Sequence, residues 1–238
     1  MRPAIPRREN SQLLMVANRV LVLLGFALLV LERGHADLPN PSQFTIARVQ
    51  YDGSGDWYSD PSSLPNLLEF LRQETNIEVA SEPKRIKIMD EELVSYPYLY
   101  LTGHGNVSFS PDEIIRLRHF LESGGFLHAD DNYGMDESFR RQLRNLFPKK
   151  ELVELPPTHG LFNCHFEFPD GLPKIHEHDG KRSQALALFD SGRIVVLYTY
   201  ESDLGDGWED ASVHDDPPEK RLAALRMGTN IVVWALTH

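Results

Sequence analysis

Apolar and polar positions follow strand and helix spacings in turn along most of this chain. Residues 44–50 and 85–89 alternate as short strands. Between them Leu64, Leu67, Leu68 and Leu71 fall on one face of a helix predicted over 62–75, with Ser62 or Ser63 at its start. Residues 90–94 read as a brief helical turn and 96–101 as a buried strand. Ser110-Pro111-Asp112-Glu113 is a strong helix start: an N-cap serine, a proline at the first position and a capping-box glutamate. Ile114, Leu117 and Leu121 follow on its buried face, and Gly124-Gly125 turns the chain into a strand at 126–128. A helix over 136–147 closes before Pro148. Strand, helix and strand in that order predict a mainly parallel α/β sheet, whose ligands gather outside the carboxyl ends of the strands.

The second half is less periodic. A strand is predicted at 151–155, an aromatic extended segment at 162–168, a buried strand at 193–200 and a final amphipathic helix at 219–236. In that helix Leu222, Leu225, Ile231 and Val232 are expected to face inward. The N-terminus reads differently. Arg2, Arg7, Arg8 and Arg19 precede an apolar run at 20–31, and Gly34-His35-Ala36 offers small residues three apart. This is the grammar of a signal peptide, with an uncleaved membrane anchor as the alternative. The expected organisation is an export element at 1–36, a linker at 37–42 and one domain at 43–238, outside the cytoplasm, with membrane contact only through the N-terminal segment.

Composition narrows the picture a little. Of the 238 residues, 41% are hydrophobic and 25% charged, values of an ordinary globular chain. The formal net charge of -11 gives no electrostatic support for a nucleic-acid partner. The single cysteine, Cys164, excludes an intrachain disulfide, and its surroundings read as those of an inert thiol.

Candidate chemistry collects where strands end. His128, Asp130 and Asp131 close one strand, with Asn132 beyond. On extended backbone His128 and Asp130 share a side and Asp131 takes the other. Together they suit a divalent cation or acid–base catalysis; alternatively the histidine is a core residue and the acids are helix caps. His104 stands between Gly103 and Gly105, whose amides are suited to an anion; the bland alternative is a tight turn. His176-x-His178 has a spacing that metal sites use, although a solvated loop also fits. Two acidic, glycine-rich loops carry tryptophan: Asp56, Trp57 and Tyr58 in one, Glu201, Asp203, Asp206, Trp208 and Glu209 in the other. The rings suggest a grip on a sugar, or simply packing of the loops.

The stretches FTIARVQYDGSGDWYSDPSSLPNLL, YLYLTGHG, SGGFLHADDNYGMD, FPDGLPKIHEHDG and YTYESDLGDGWED, in that order, resemble the bacterial DUF4159 family over roughly residues 44 to 236. The resemblance implies a class I glutamine amidotransferase-like fold, a flavodoxin-like three-layer α/β/α sandwich. It brings no known reaction. Those amidotransferases carry a GxCxG elbow where this chain has His128-Ala129-Asp130-Asp131-Asn132, so cysteine-based glutamine hydrolysis is not expected. The expectation is a domain that binds, and hydrolyses, a small polar or carbohydrate-like ligand through a His/Asp site with a divalent metal. The alternative is a non-catalytic module of the cell envelope that recognises a protein partner or glycan.

Overall fold

The computed structural model describes residues 43–238. The export element and linker expected at 1–42 lie outside the described residues. No helix among those described is long and apolar enough to cross a membrane.

Seven strands form one sheet: β1 (Ala47–Val49), β2 (Lys84–Ile86), β3 (Tyr98–Leu101), β4 (Phe126–Asp130), β5 (Val153–Glu154), β6 (Gln184–Asp190) and β7 (Arg193–Tyr200). Their spatial order is β2-β1-β3-β4-β7-β6-β5. The first five in that order run parallel, while β6 and β5 are antiparallel additions at one edge. Among the described residues six α-helices accompany them: α1 (Ser63–Glu74), α2 (Pro111–Glu122), α3 (Asp136–Leu146), α4 (Leu204–Trp208), α5 (Ala211–His214) and α6 (Pro218–Thr237).

Side chains alternate across the central strands because the pleat has a period of two. Tyr98, Tyr100, Phe126 and Leu197 pack on one face with Leu64, Leu67, Leu68 and Leu71 of α1 and Met227, Ile231 and Val232 of α6. Leu99, Leu101, Leu127, Val196 and Tyr198 face the other way, against α2 and α3. Helices on both faces make this a three-layer α/β sandwich. The four leucines of α1 are fully buried, each worth about 2 kcal/mol by transfer.

The predicted capping box at α2 is present in full: Ser110 Oγ accepts from the Glu113 amide and the Glu113 carboxylate accepts from the Ser110 amide. Three expectations change. The hairpin strand β6 was not predicted, because its residues are buried on both faces and show no alternation. The segment at 162–168 is irregular after a 3₁₀ turn at Gly160–Phe162. Leu222 lies on the exposed side of α6, whereas Ile231 and Val232 are buried as expected.

Candidate metal centre

The carboxyl ends of β1, β3, β4 and β7 deliver four loops to one edge of the sandwich. A long irregular segment, 155–183, reaches the same edge. It is tied there by the Ile175 amide donating to the Ser202 carbonyl at 2.8 Å and by Ser202 Oγ donating to the Pro173 carbonyl at 2.6 Å. Lys174 Nζ at 2.9 Å and the Asp179 amide at 3.0 Å both donate to the Glu201 carboxylate. Asn230 of α6 holds the segment from behind, bonding the Leu161 and Phe166 carbonyls and accepting from the Phe166 amide.

This docking sets two histidines among carboxylates. His176 Nδ1 lies 2.8 Å from Asp206 Oδ2 and 3.5 Å from Asp203 Oδ2, and its Nε2 lies 2.8 Å from Asp216 Oδ2. His178 Nε2 lies 3.0 Å from the same Asp203 Oδ2, with Nδ1 3.8 Å from Asp131 Oδ2. His214 joins from α5, its Nε2 3.5 Å from Asp206 Oδ1 and its ring 4.9 Å from that of His176. Two trios, His176–Asp206–His214 and Asp131–His178–Glu201, each have donor atoms within 4.8 Å of one another.

The electrostatics follow from this crowding. Hydrogen bonds to Asp203 and Asp206 raise the His176 pKa to about 10. Burial works against charge on His178, but the neighbouring Asp131 and Asp203 carboxylates outweigh it and bring that pKa also to about 10. Burial likewise opposes the Asp203 carboxylate, yet its contacts with the two histidines hold its pKa below the usual range. Asp60 goes the other way: burial first, then the charges of Asp206 and Asp203, push its pKa well up despite Arg48 nearby. Four buried side-chain polar atoms among the described residues lack a hydrogen-bond partner, and two of them, His178 Nδ1 and Asp203 Oδ1, belong to this centre. Glu201, Asp203 and Asp60 also hold left-handed backbone, with φ of 57°, 60° and 54°. Non-glycine residues tolerate that conformation only when their surroundings impose it.

The predicted site residues separate into groups. Asp131, His176, His178, Asp203 and Asp206 come together. Asp131 does not cap a helix: Oδ1 accepts from Tyr198 and Oδ2 from the Glu201 amide, which aims the carboxylate at His178. Asn132 donates to Asp60 at 3.1 Å and does not cap a helix either.

Asp130 is fully buried beneath the centre. It accepts from Thr199 Oγ1 (2.5 Å), Tyr100 (3.3 Å) and the Gly205 and Leu204 amides (2.6 and 3.3 Å), which anchors α4. Burial and the Asp203 charge raise its pKa to about 7, against those bonds. A side chain at Gly205 would run into Tyr100, Asp130 and Asp60, so only glycine lets the helix start this close.

His128 occupies the core. Its Nδ1 is 3.0 Å from the Tyr98 hydroxyl and its Nε2 3.0 Å from Thr199 Oγ1, with Tyr100 and Trp208 around the ring. It has no exposure, so it reaches no ligand, and the acid–base role considered for it gives way to packing. Burial lowers its pKa to about 3. Between about pH 6.5 and 3 the unfolded chain therefore takes up a proton that the folded one refuses, so the stability His128 leaves intact above pH 6.5 is lost as pH falls toward 3. Asp60 and Asp130, with raised pKa values, pull in the opposite direction. Comparison with His128→Gln isolates the histidine: in urea unfolding from pH 7 to pH 4 the native protein should lose about 3 kcal/mol more than the variant. Parallel pH profiles would contradict this.

His104 is half exposed and paired with Asp56, Nδ1 to Oδ2 at 3.1 Å. The same carboxylate accepts from the His104 amide, and the Gly105 amide donates to the Tyr133 carbonyl at 3.4 Å. Of the amides expected to hold an anion, that of Gly105 is thus already occupied. Gly103, at φ 137°, has no room for a side chain beside Tyr51 and Asp56.

The two tryptophans do not face each other across a site. Trp208 is wholly buried, with Nε1 donating to the Ala224 carbonyl at 2.8 Å. Trp57 and Tyr58 line a separate hollow of about 170 Å³ with Arg48, Pro83, Lys84 and Arg85. A cleft of about 450 Å³ near Pro97, Phe120 and Gly125 lies at the amino ends of β3 and β4, away from the centre.

Sequence reasoning did not single out Asp60, Lys174, His214 or Asp216. The last two sit in a stretch without hydrophobic period, where only the His-Asp-Asp run at 214–216 signalled chemistry.

Fold and centre together define a three-layer α/β domain with a histidine–carboxylate cluster at the carboxyl edge of its parallel strands. Residues 45–236 match the family described as "Domain of unknown function (DUF4159)", and the chain belongs to that family. No curated protein matches it.

Proposed function

We propose that the domain binds a divalent transition-metal ion through His176, Asp206 and His214, with Asp203 alongside, and hydrolyses a small polar or carbohydrate-like ligand there. One observation carries this reading: the two rings His176 and His178 face carboxylates from both of their nitrogens. A neutral imidazole has one protonated nitrogen, so its other lone pair would point at an anion. Each ring therefore calls for a cation on its second nitrogen, either a second proton or a metal. Mixed nitrogen and oxygen donors suit zinc, manganese or ferrous iron better than calcium. Asp216 behind His176 matches the carboxylate–histidine arrangement that fixes the tautomer of a ligating ring.

Such an ion polarises a carbonyl or phosphoryl group and lowers the pKa of water. The protein itself contributes orientation and protons. Asp203 and Asp206 are held in place by the α4 anchor, and burial favours the protonated form of Asp60, the state a general acid needs. The N-terminal pattern supports a place outside the cytoplasm, and the strand order supports an amidotransferase-like fold without the cysteine nucleophile.

A second reading, a non-catalytic envelope module, is favoured by the 2.8 Å contacts on either side of His176, which are ion-pair lengths for an imidazolium between carboxylates. Metal analysis separates the two. Purified protein should carry stoichiometric metal that a chelator removes, with a loss of about 4 kcal/mol of stability relative to metal at a thousandfold its Kd. Protein that is metal-free as isolated, and whose Tm ignores added zinc or manganese, supports the module.

A further inference from the structure

We propose that the centre takes a second divalent cation, zinc or manganese, between His178 Nδ1, Asp131 and Glu201. This rests on the cation reading above and extends it from one ion to two. Donor atoms of Asp131, His178 and Glu201 lie within 4.8 Å of one another. The His178 side chain is only 6% exposed, and its Nδ1 has no partner. Its Nε2 donates to Asp203 at 3.0 Å, which leaves Nδ1 to carry either a lone pair or a second proton.

Distance separates the two states. Asp131 Oδ2 is 3.8 Å from Nδ1, too far for a hydrogen bond. Nitrogen and oxygen bound to one tetrahedral zinc stand about 3.4 Å apart, given bonds of about 2.0–2.2 Å. The gap is therefore a few tenths of an ångström from one that an ion spans, and a proton leaves it unbridged. In the first trio the separation between His214 Nε2 and Asp206 Oδ1 is 3.5 Å, in the same range.

Asp203 joins the two positions. Its Oδ2 meets His178 Nε2 at 3.0 Å and His176 Nδ1 at 3.5 Å. It would thus orient the ring that holds the second ion and stand beside the first. Lys174 Nζ, 2.9 Å from Glu201 Oε2, already supplies one positive charge there, so the second ion binds more weakly than the first. Two neighbouring cations suit ligands that offer anionic oxygens, such as phosphate or carboxylate esters.

The test is a zinc titration of chelator-stripped protein by equilibrium dialysis, with cobalt absorption as a second measure of stoichiometry. Native protein should bind two ions of unequal affinity. Glu201→Gln should bind one, and His214→Ala should lose the tighter ion and keep the weaker. Lys174→Gln removes a charge without touching the carboxylate and should tighten the weaker ion about tenfold. A single ion whose binding ignores Glu201→Gln and Lys174→Gln overturns the second site and leaves the first intact. No ion at all overturns both.

Discussion

Asp130→Ala should lower the unfolding free energy by about 3–5 kcal/mol, the largest stability loss expected from one residue of this edge. The carboxylate is fully buried and takes four donors: two hydroxyls and two backbone amides. Removing it leaves Tyr100 and the two amides without this acceptor, while Thr199 keeps the Ala129 carbonyl at 3.3 Å, and each buried orphan costs about 1–3 kcal/mol before relaxation. Asp130→Asn keeps one acceptor oxygen but turns an amide group toward donors, so it should cost about half as much. Urea unfolding measures both. A loss under about 1 kcal/mol for the alanine variant would show that α4 does not depend on this anchor.

His176→Ala should weaken divalent-metal binding by at least about a hundredfold, while Asp216→Asn weakens it by about ten- to a hundredfold. The histidine supplies Nδ1 to the space shared with Asp203 and Asp206; Asp216 holds only the far nitrogen. The two variants therefore separate a ligand from its orienting partner. The metal-free protein gives a complementary signal. His176, with its pKa near 10, carries a charge at neutral pH that balances the surrounding carboxylates. Its stabilisation is complete below about pH 6.5 and fades as pH rises toward 10. Chelator-treated native protein should lose stability across that window, and His176→Ala should lose less. Equal metal affinities for native and His176→Ala protein would remove the histidine from the centre.

Periodicity made the scaffold legible. Leucine spacing in α1, the capping box of α2 and the glycine pair before β4 each act within a few residues, so sequence neighbours suffice to read them. β6 escaped because burial on both faces erases alternation, although Ser191-Gly192 marks a hairpin turn before β7. The centre was half legible. His176-x-His178 and the acids at 203 and 206 stand out locally. Their convergence depends on a segment without period docking across the strand ends. His128 and Trp208 were misleading because polar or aromatic residues near a strand end look alike whether they face ligand or core. Only the helices packed over them, α1 and α6, place both on the inside.

The segment at 155–183 also bears on how the molecule comes together. Its histidines meet acids that arrive from the ends of β4, β7 and the short helix α5 and from α4, the farthest along the chain being Asp131, 47 residues before His178. The ends of β4 and β7 bring Asp131 and Glu201, 70 residues apart in the chain, side by side. Like charges this close repel. The docked segment offsets that repulsion with His176, His178 and Lys174, so its hold on the strand ends depends on the charge these groups carry. The docking of this segment is in this sense coupled to the pH and ion content of the medium.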